Sequence, residues 1–223
     1  MQPTPAHDAY NPDLFALIPP GCARVVEVGC SVGALAKAYL AVHPRCDYRG
    51  VEVDPDYAEA ARRQGANVYC WDIETMSDAD FAEVGAADCV VFGDVLEHLR
   101  DPWALLSRLR AALKPRSRVI ACLPNMQHWS VQIRLATGQL RYEPSGLLDR
   151  THLRWFTRAT ALELFQSSGY RVVEGRPRIF EEPQREAFLP AIGALARAAG
   201  FDPQQAVTDA LAMQYVFVAI AER

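Results

Sequence analysis

The sequence has no stretch of about 20 apolar residues, the length that a helix needs to cross a bilayer. Residues 1–11 contain prolines and polar groups but no basic start followed by an apolar run, so we expect no secretory signal peptide. Positive charge is also scarce, with 23 Lys and Arg against 27 Asp and Glu and a net charge of −4. This balance argues against a general nucleic-acid-binding protein.

The chain also lacks any Cys-x-x-Cys pair, which is a common sign of a zinc site or a redox motif. Its six cysteines are scattered: Cys22, Cys30, Cys46, Cys70, Cys89 and Cys122. Two of them, Cys89 and Cys122, lie in apolar runs typical of buried strands. We therefore expect reduced, structural thiols and a cytoplasmic location. No spacing of carboxylates and histidines indicates a divalent metal, so the predicted chemistry is metal-independent.

What the sequence does contain is a regular alternation of apolar runs and helical stretches up to Pro124. Strands are predicted at 24–28, 48–53, 66–71, 87–92 and 118–123. The helices predicted between them lie at 35–42, at 55–63 and after the Asp101-Pro102 pair. This alternation predicts an α/β fold with a doubly wound, mostly parallel sheet. Ligands of such sheets bind beyond the carboxyl ends of the strands.

The alternation ends after Pro124. Residues 125–156 carry aromatics and arginines without periodicity, and we interpret them as a substrate-side insertion. A helix is predicted at 157–168 and strands at 170–174 and 214–221. The Ala-rich segment 184–212 predicts one or two helices that either cover the active site as a lid or build a dimer interface. No repeat or linker divides the chain, so we predict a single domain over 1–223.

The turn after the first strand is the most informative segment. Glu27, Gly29 and Gly33 have the spacing acid-x-Gly-x-x-x-Gly, and a helix follows at once. Glycine lets the backbone approach a ligand closely, and a helix N-terminus offers N–H groups and partial positive charge. A nicotinamide-binding turn would have glycine in place of Ser31, and an acid at Glu27 suits a ligand with an ammonium group. The alternative is an ordinary strand–helix turn with Glu27 in solvent.

Acidic residues also follow the next three strands. Glu52 can accept hydrogen bonds from ribose hydroxyls, whereas Asp54 is more simply the N-cap of the following helix. Asp72 can accept from an adenine amino group with Ile73 against the ring face, and Asp94 follows the fourth strand.

With these residues the chain resembles the class I S-adenosylmethionine-dependent methyltransferases. The segments VEVGCSVG, GVEVDP, YCWDIE and FGDVLEHLRDPWALLSRLRAALKP, then VIACLPN, resemble the motifs of that family in the right order, over about residues 10–123. The resemblance implies a Rossmann-like methyltransferase fold with seven strands, the last of them antiparallel, and S-adenosylmethionine as cofactor. Ser31 departs from the family, which usually has glycine there, but its small side chain leads us to expect that binding survives.

The resemblance also implies the cofactor-binding residues. Glu27, Gly29 and Gly33 would surround the methionine end, Glu52 the ribose, Asp72 and Ile73 the adenine, and Asp94 and Val95 the far side of the pocket, with Cys30, Ser31 and Val53 completing the set.

A general base for methyl transfer must reach the acceptor, so histidines beyond the strand ends are the candidates. We expect His98 to pack or cap a turn, whereas His128 follows the fifth strand. His152 lies with Asp149 in GLLDRTHLRWFT, which resembles a segment of methyltransferases found beside glycosyltransferases in bacterial surface-polysaccharide pathways. The predicted catalytic residues are His152, His128 and Asp149. The alternative is a buried polar network of Asp149, Arg150 and His152.

Arginine exceeds acid over residues 128–158, with Arg134, Arg141, Arg150, Arg154 and Arg158. This excess indicates either a phosphate-bearing acceptor or solvated surface arginines.

Three classes of function remain. The leading one is methyl transfer from S-adenosylmethionine to a small molecule, in first place an oxygen of a sugar or glycan precursor, with a quinone precursor or another natural product as the variant. The others are an NAD-dependent oxidoreductase and a non-catalytic cofactor-binding module. No nucleic-acid partner is expected.

Overall fold

The computed structural model describes residues 9–222, and residues 1–8, for which we predict no signal peptide, lie outside the described residues. Its seven strands are β1 (Arg24–Val28), β2 (Asp47–Glu52), β3 (Asn67–Cys70), β4 (Cys89–Gly93), β5 (Arg118–Pro124), β6 (Tyr170–Arg178) and β7 (Gln214–Ala221). They form one sheet in the order β3-β2-β1-β4-β5-β7-β6. Strands β1 to β5 are parallel, and β7 is antiparallel to both of its neighbours. The predicted fold class is confirmed.

Helices cover both faces of this sheet. They are α1 (Pro12–Leu17), α2 (Ala34–Val42), α3 (Pro55–Arg63), α4 (Asp78–Gly85), α5 (Pro102–Ala112), α6 (Trp129–Ala136), α7 (Arg158–Ser167), α8 (Leu189–Ala198) and α9 (Pro203–Leu211), with short 3₁₀ turns at Leu96–His98 and Pro183–Ala187. The first three pack in one hydrophobic core, and α4, α5 and α7 pack in a second core on the other face. Because β1 to β5 are parallel, their carboxyl ends meet at one edge of the sheet, which these helix layers on the two faces flank.

Polar side chains begin several of the helices that the sequence predicts. Asp54 accepts hydrogen bonds from the N–H groups of Asp56 and Tyr57 at the start of α3. Asp101 and Thr157 do the same for α5 and α7. Each bond satisfies an N–H group that has no partner within the helix. The cap at Asp54 was predicted, and it is confirmed.

Three helices were not predicted, because each is six to eight residues long. Two turns give too few apolar repeats to separate a helix from a loop. One of them, α6, lies inside the segment 125–156 and buries Trp129 and Val131. Strand β6 extends to Arg178, beyond the predicted Glu174. It is an edge strand that pairs only with β7, so many of its side chains are polar and exposed.

A third, smaller hydrophobic core joins α6 to α8 and α9 through Trp129, Ile192 and Ala210. The Ala-rich segment is therefore packed onto the insertion at the carboxyl edge of the sheet. Whether it acts as a lid or a dimer interface stays a prediction. Among the residues that the structure describes, we found no helix with the length and apolarity to span a bilayer.

Candidate functional site

The turn after β1 has a backbone conformation that residues with a side chain rarely adopt. Gly29, Ser31 and Gly33 all have positive φ, at 69°, 47° and 83°. A Cβ placed on Gly29 would lie 2.4 Å from Cγ2 of Val95, and one on Gly33 would lie 3.0 Å from Cα of Ala61. The two glycines thus keep the chain close to its neighbours, while Ser31 accepts a conformation that an L-residue rarely adopts.

Glu52, at the end of β2, holds this turn in place. One carboxylate oxygen accepts the backbone N–H of Ser31 at 2.8 Å, and the other accepts that of Asp54 at 3.0 Å. The side chain is only 7% exposed. Because a carboxylate offers about four acceptor sites, lone pairs remain for ribose hydroxyls.

Glu27 is buried at the end of β1 and accepts a hydrogen bond from the Tyr48 hydroxyl at 2.9 Å. Burial raises the pKa of Glu27 to about 8, against the opposing effect of that hydrogen bond. Its carboxyl is therefore mostly protonated at neutral pH in the protein alone. A cationic ammonium group brought beside it would favour the ionised form.

The tip of β3 presents the pair expected at the adenine. Ile73 is buried and Asp72 is exposed, with one carboxylate oxygen accepting the N–H of Glu74 at 2.9 Å. Val53 is 65% exposed beside them. An apolar side chain next to an acceptor is the chemistry that a purine with an amino group requires.

Asp94, at the tip of β4, stands opposite the first turn. Its backbone has a φ of 56°, and its carboxylate accepts a hydrogen bond from the side-chain amide of Gln214 at 2.5 Å. Burial raises the pKa of Asp94. The neighbouring Val95 fills the space that the missing side chain of Gly29 leaves open.

These features fit S-adenosylmethionine. The tips of β1, β2, β3 and β4 combine a close backbone turn, a buried carboxyl for the ammonium end, a carboxylate for the ribose and an apolar–acid pair for the adenine. The contacts of the single residues with the cofactor remain a proposal.

His128 follows β5 as predicted, but its side chain lies inside the protein. It is fully buried, with Nε2 3.1 Å from a carboxylate oxygen of Glu182 and Nδ1 2.9 Å from the hydroxyl of Ser130. Trp129 donates its indole N–H to the same oxygen of Glu182 at 3.0 Å. Both ring nitrogens of His128 are thus engaged within the protein. These contacts attach the segment that precedes α8, and the catalytic role of His128 stays a prediction.

His98, on the 3₁₀ turn after β4, and His152, on the insertion, lie against each other. The rings of His98 and His152 contact edge to face, with centroids 4.7 Å apart. Glu97 is fully buried beneath them, and its carboxyl lies 3.9 Å from Nε2 of His152. Burial lowers the pKa of His98 and lowers that of His152 to about 4. Burial likewise raises the pKa of Glu97 well above its ordinary value, and Asp94 adds to this effect.

Asp149 belongs to a hydrogen-bonded network beside this pair. It is 1% exposed and accepts both the backbone N–H of Thr151, at 2.8 Å, and its hydroxyl, at 2.7 Å. The Thr151 hydroxyl oxygen in turn lies 3.0 Å from Nδ1 of His98. Arg150, which the alternative reading placed in a buried network with Asp149 and His152, is exposed.

Four of the five arginines of this stretch are engaged within the protein, Arg141 through a hydrogen bond to the side chain of Gln139 at 3.3 Å. Arg134 pairs with Glu143 at 2.6 Å and Arg158 with Asp209 at 2.7 Å. Arg154 donates to the backbone carbonyls of Arg100 and Leu153. The charges of Arg134 and Arg158 are thus compensated by carboxylates, which removes these two from the argument for a phosphate-bearing acceptor.

Sequence reasoning missed Glu97 and Thr151. Neither has a spacing that indicates a role, because both act through contacts with residues about 50 positions away along the chain. One ligand atom each from Glu97, His98 and His152 lies within 4.8 Å of the others, a grouping that the sequence did not indicate. Metal-independent transfer therefore stays a prediction.

The comparisons with known proteins point to methyltransferases. A family model described as a methyltransferase domain matches residues 9–175. The ubiquinone biosynthesis O-methyltransferase of Idiomarina loihiensis is 27% identical over 154 residues, which cover 63% of this chain and 61% of that protein. The enzyme of the same name from Cereibacter sphaeroides is 24% identical over 178 residues, 77% of this chain and 69% of that protein.

Among solved structures, a SAM-dependent methyltransferase from Archaeoglobus fulgidus aligns with a TM-score of 0.60 at 18% identity, covering 90% of this chain and 86% of that one. This likeness concerns the fold. The family match covers well over half of the 223 residues, and it sets the oxidoreductase alternative aside. The chain belongs to the class I S-adenosylmethionine-dependent methyltransferases, and S-adenosylmethionine is its cofactor.

Proposed function

We propose that this protein transfers the methyl group of S-adenosylmethionine to a hydroxyl oxygen of a small acceptor, and that the acceptor is a phenol such as a quinone precursor. The observation that carries the proposal is the histidine pair formed by His98, on the turn that follows β4, and His152, on the insertion that follows β5. A neutral imidazole near the cofactor can take the proton that an oxygen nucleophile must lose.

The lowered pKa values of both histidines favour a phenol over a sugar. Burial keeps His98 and His152 neutral but also makes them weak bases. A weak base removes a proton more readily from a phenol, whose pKa is about 10 in tyrosine, than from the much less acidic hydroxyl of a sugar. The relatives named ubiquinone biosynthesis O-methyltransferases support the same choice.

A sugar or glycan precursor is the second candidate. It is supported by the segment GLLDRTHLRWFT, which resembles a segment of methyltransferases found beside glycosyltransferases in surface-polysaccharide pathways. The paired arginines speak against a nucleotide- or phosphate-linked form of such an acceptor. The aligned stretch spans about three fifths of the Idiomarina relative. A substrate like that of the relative is therefore a proposal for this chain.

The test is a transfer assay with methyl-labelled cofactor against catechols, simple phenols and sugar nucleotides. We expect label on the phenols, and label on the sugar nucleotides alone would reverse our choice. A protein that binds the cofactor in calorimetry but labels no acceptor would support the non-catalytic alternative. Transfer that persists after dialysis against a chelator would support the metal-independent mechanism. The cytoplasmic location and the homodimer also stay predictions.

A further inference from the structure

We propose that Glu97, His98 and His152 form a binding site for one divalent transition-metal ion, in the first place Zn²⁺. Glu97 and His98 lie on the 3₁₀ turn after β4, and His152 lies on the insertion after β5. A cation held by all three would join these two segments. The inference goes beyond the proposed methyl transfer, because it concerns which ion the protein binds and is tested without an acceptor.

The three side chains converge closely enough to share one ion. One ligand atom of each lies within 4.8 Å of the others, and Nε2 of His152 is 3.9 Å from one carboxyl oxygen of Glu97. Zinc binds histidine nitrogen and carboxylate oxygen at about 2.0–2.2 Å, so neighbouring ligand atoms of a tetrahedral site are about 3.4 Å apart. The three atoms therefore need to approach one another by about 1 Å, a distance that small side-chain rotations supply.

The carboxyl of Glu97 is the observation that points to a ligand. It is 0% exposed, and neither of its oxygens has a hydrogen-bond partner among the residues that the structure describes. A polar group buried without a partner is costly, and buried carboxylates are normally paired or bound to a metal. Asp94 and Asp149 also act on Glu97 through their charges. A cation between Glu97 and the two histidines would satisfy its oxygens and offset this local excess of acid.

The other ring nitrogen of His98 has the surroundings that metal-binding histidines usually have. Nδ1 lies 3.3 Å from the backbone carbonyl of Thr151 and 3.0 Å from its hydroxyl, which is in turn 2.7 Å from a carboxylate oxygen of Asp149. A histidine that binds a metal through one nitrogen commonly donates the other N–H to a carbonyl or carboxylate, which fixes the ring. Nε2 of His98 is then the nitrogen left for the cation.

Backbone hydrogen bonds hold the two segments together. The N–H groups of Leu153 and Arg154 both donate to the carbonyl of Glu97, at 2.8 Å and 2.9 Å. These bonds fix the chain on either side of His152 against the turn that carries the other two side chains. The ligands are thus brought together by the fold itself.

The donor set selects the class of cation. Two imidazoles and one carboxylate suit Zn²⁺, whereas Mg²⁺ and Ca²⁺ prefer oxygen ligands. Three protein ligands also leave a fourth position for water or another small ligand. We therefore expect Zn²⁺ to bind far more tightly than Mg²⁺.

A cation at this place has a consequence for the proposed function, and this consequence alone rests on that proposal. A ring nitrogen whose lone pair binds a cation cannot also take a proton. If His98 or His152 is the base, Zn²⁺ should slow methyl transfer, and the protein dialysed against a chelator should be the active form.

The first test is a calorimetric titration of Zn²⁺ into the full chain after treatment with a chelator. It is made in Cys70→Ser, because Cys70 is an exposed thiol and thiolates bind zinc. We expect one ion per chain. At about a hundred times Kd, Zn²⁺ should raise Tm by about 5 °C or more, since it binds the folded protein.

Substitutions then identify the ligands. Glu97→Gln and His152→Gln should each weaken Zn²⁺ binding by more than about a hundredfold, beyond the loss that an outer-shell partner causes. The matched controls are Glu163→Gln, exposed in α7, and His43→Gln, directly after α2, and both should leave Kd unchanged. Circular dichroism verifies that each variant is folded.

Nitrogen-15 NMR of the imidazoles keeps the test valid if a variant fails to fold. In the protein with all its histidines, Zn²⁺ should shift the nitrogen signals of two of the five histidines. No binding, or binding that is equal in Glu97→Gln and Glu163→Gln, would overturn the site. One bound Zn²⁺ that accelerates transfer would support the site and would defeat only the histidine base of the proposed function.

Discussion

The cofactor half and the acceptor half of the sheet edge are built in different ways. At the tips of β1 and β2 the contacts join backbone groups to carboxylates near in space and in motif, as between Ser31 and Glu52. At the end of β5 they join side chains to distant segments. Asn125 donates to the carbonyl of Asp209, 84 positions away, and His128 contacts Glu182, 54 positions away.

This difference indicates that the two ends of the site depend on different kinds of contact, local backbone contacts on one side and long-range side-chain contacts on the other. A cofactor shared by a whole family can be held by backbone shape, which a few glycines and acids encode. The acceptor side depends on which distant side chains the third core brings together. Each of the following predictions tests that division, from the largest expected effect to the smallest.

Gly29→Ala should strongly weaken cofactor binding while the rest of the protein stays folded. The added Cβ would lie 2.4 Å from Cγ2 of Val95 and would occupy a φ of 69°, so we expect cofactor affinity in calorimetry to fall by about a hundredfold. Gly65→Ala is the control, since it has a similar positive φ with nothing within 4 Å. Val95→Ala added to Gly29→Ala should recover part of the affinity, and a double variant no better than the single would show that the clash is not the cause.

Asn125→Ala should destabilise the region at the end of β5 without weakening cofactor binding. Its buried amide donates to the carbonyls of Asp209 and Ala212 at 2.8 Å and 2.7 Å, and removing it leaves both without this partner. We expect a loss of about 3 kcal/mol in the free energy of unfolding, measured by urea denaturation, with cofactor affinity nearly unchanged. Asn67→Ala, at an exposed position of β3, serves as control. An equal loss of cofactor affinity would erase the distinction between the halves.

Glu27 should release a proton when the cofactor binds. Its pKa is raised to about 8 in the protein alone, and an adjacent ammonium group favours the carboxylate. We expect the release of about one proton at pH 7, read from calorimetry in buffers of different ionisation enthalpy and absent in Glu27→Gln. As pH rises towards 8, a growing fraction of the Glu27 carboxyl is already ionised before the cofactor binds, so fewer protons should be released on binding. A release that Glu27→Gln retains would point to another group.

Ser31→Gly should give the smallest effect, and it should stabilise the protein rather than destabilise it. The positive φ costs serine about 1–2 kcal/mol, more than the entropy that glycine loses on folding. We expect a gain of about 1 kcal/mol in unfolding free energy, measured by urea denaturation. Ser167→Gly, exposed in α7, should instead lose about 0.5 kcal/mol. No gain at Ser31 would mean that its hydroxyl offsets the strain.

The sequence predicts the fold and the cofactor turn because both depend on local features. Strand alternation, the cap at Asp54 and the positive φ of Gly29 each follow from residues within a few positions. Helix α6 and the link from Thr151 to His98 could not be predicted, because the first is too short to show a period and the second needs the insertion to fold back by 53 positions. His128 followed the right strand, but its burial against Glu182 depends on a segment that no local pattern connects to it.

The strand order also constrains how the protein is made. Strand β6 has β7 as its only neighbour in the sheet, and β7 follows it by some forty residues along the chain. During translation, β6 must therefore wait, unpaired, until β7 has left the ribosome. The anchor points of Asn125, at Asp209 and Ala212, emerge just before that strand. The buried partners of Asn125 and the Gln214 partner of Asp94 are thus present only once this late part of the chain has emerged, whereas the contact of Glu52 with Ser31 can form much earlier in synthesis.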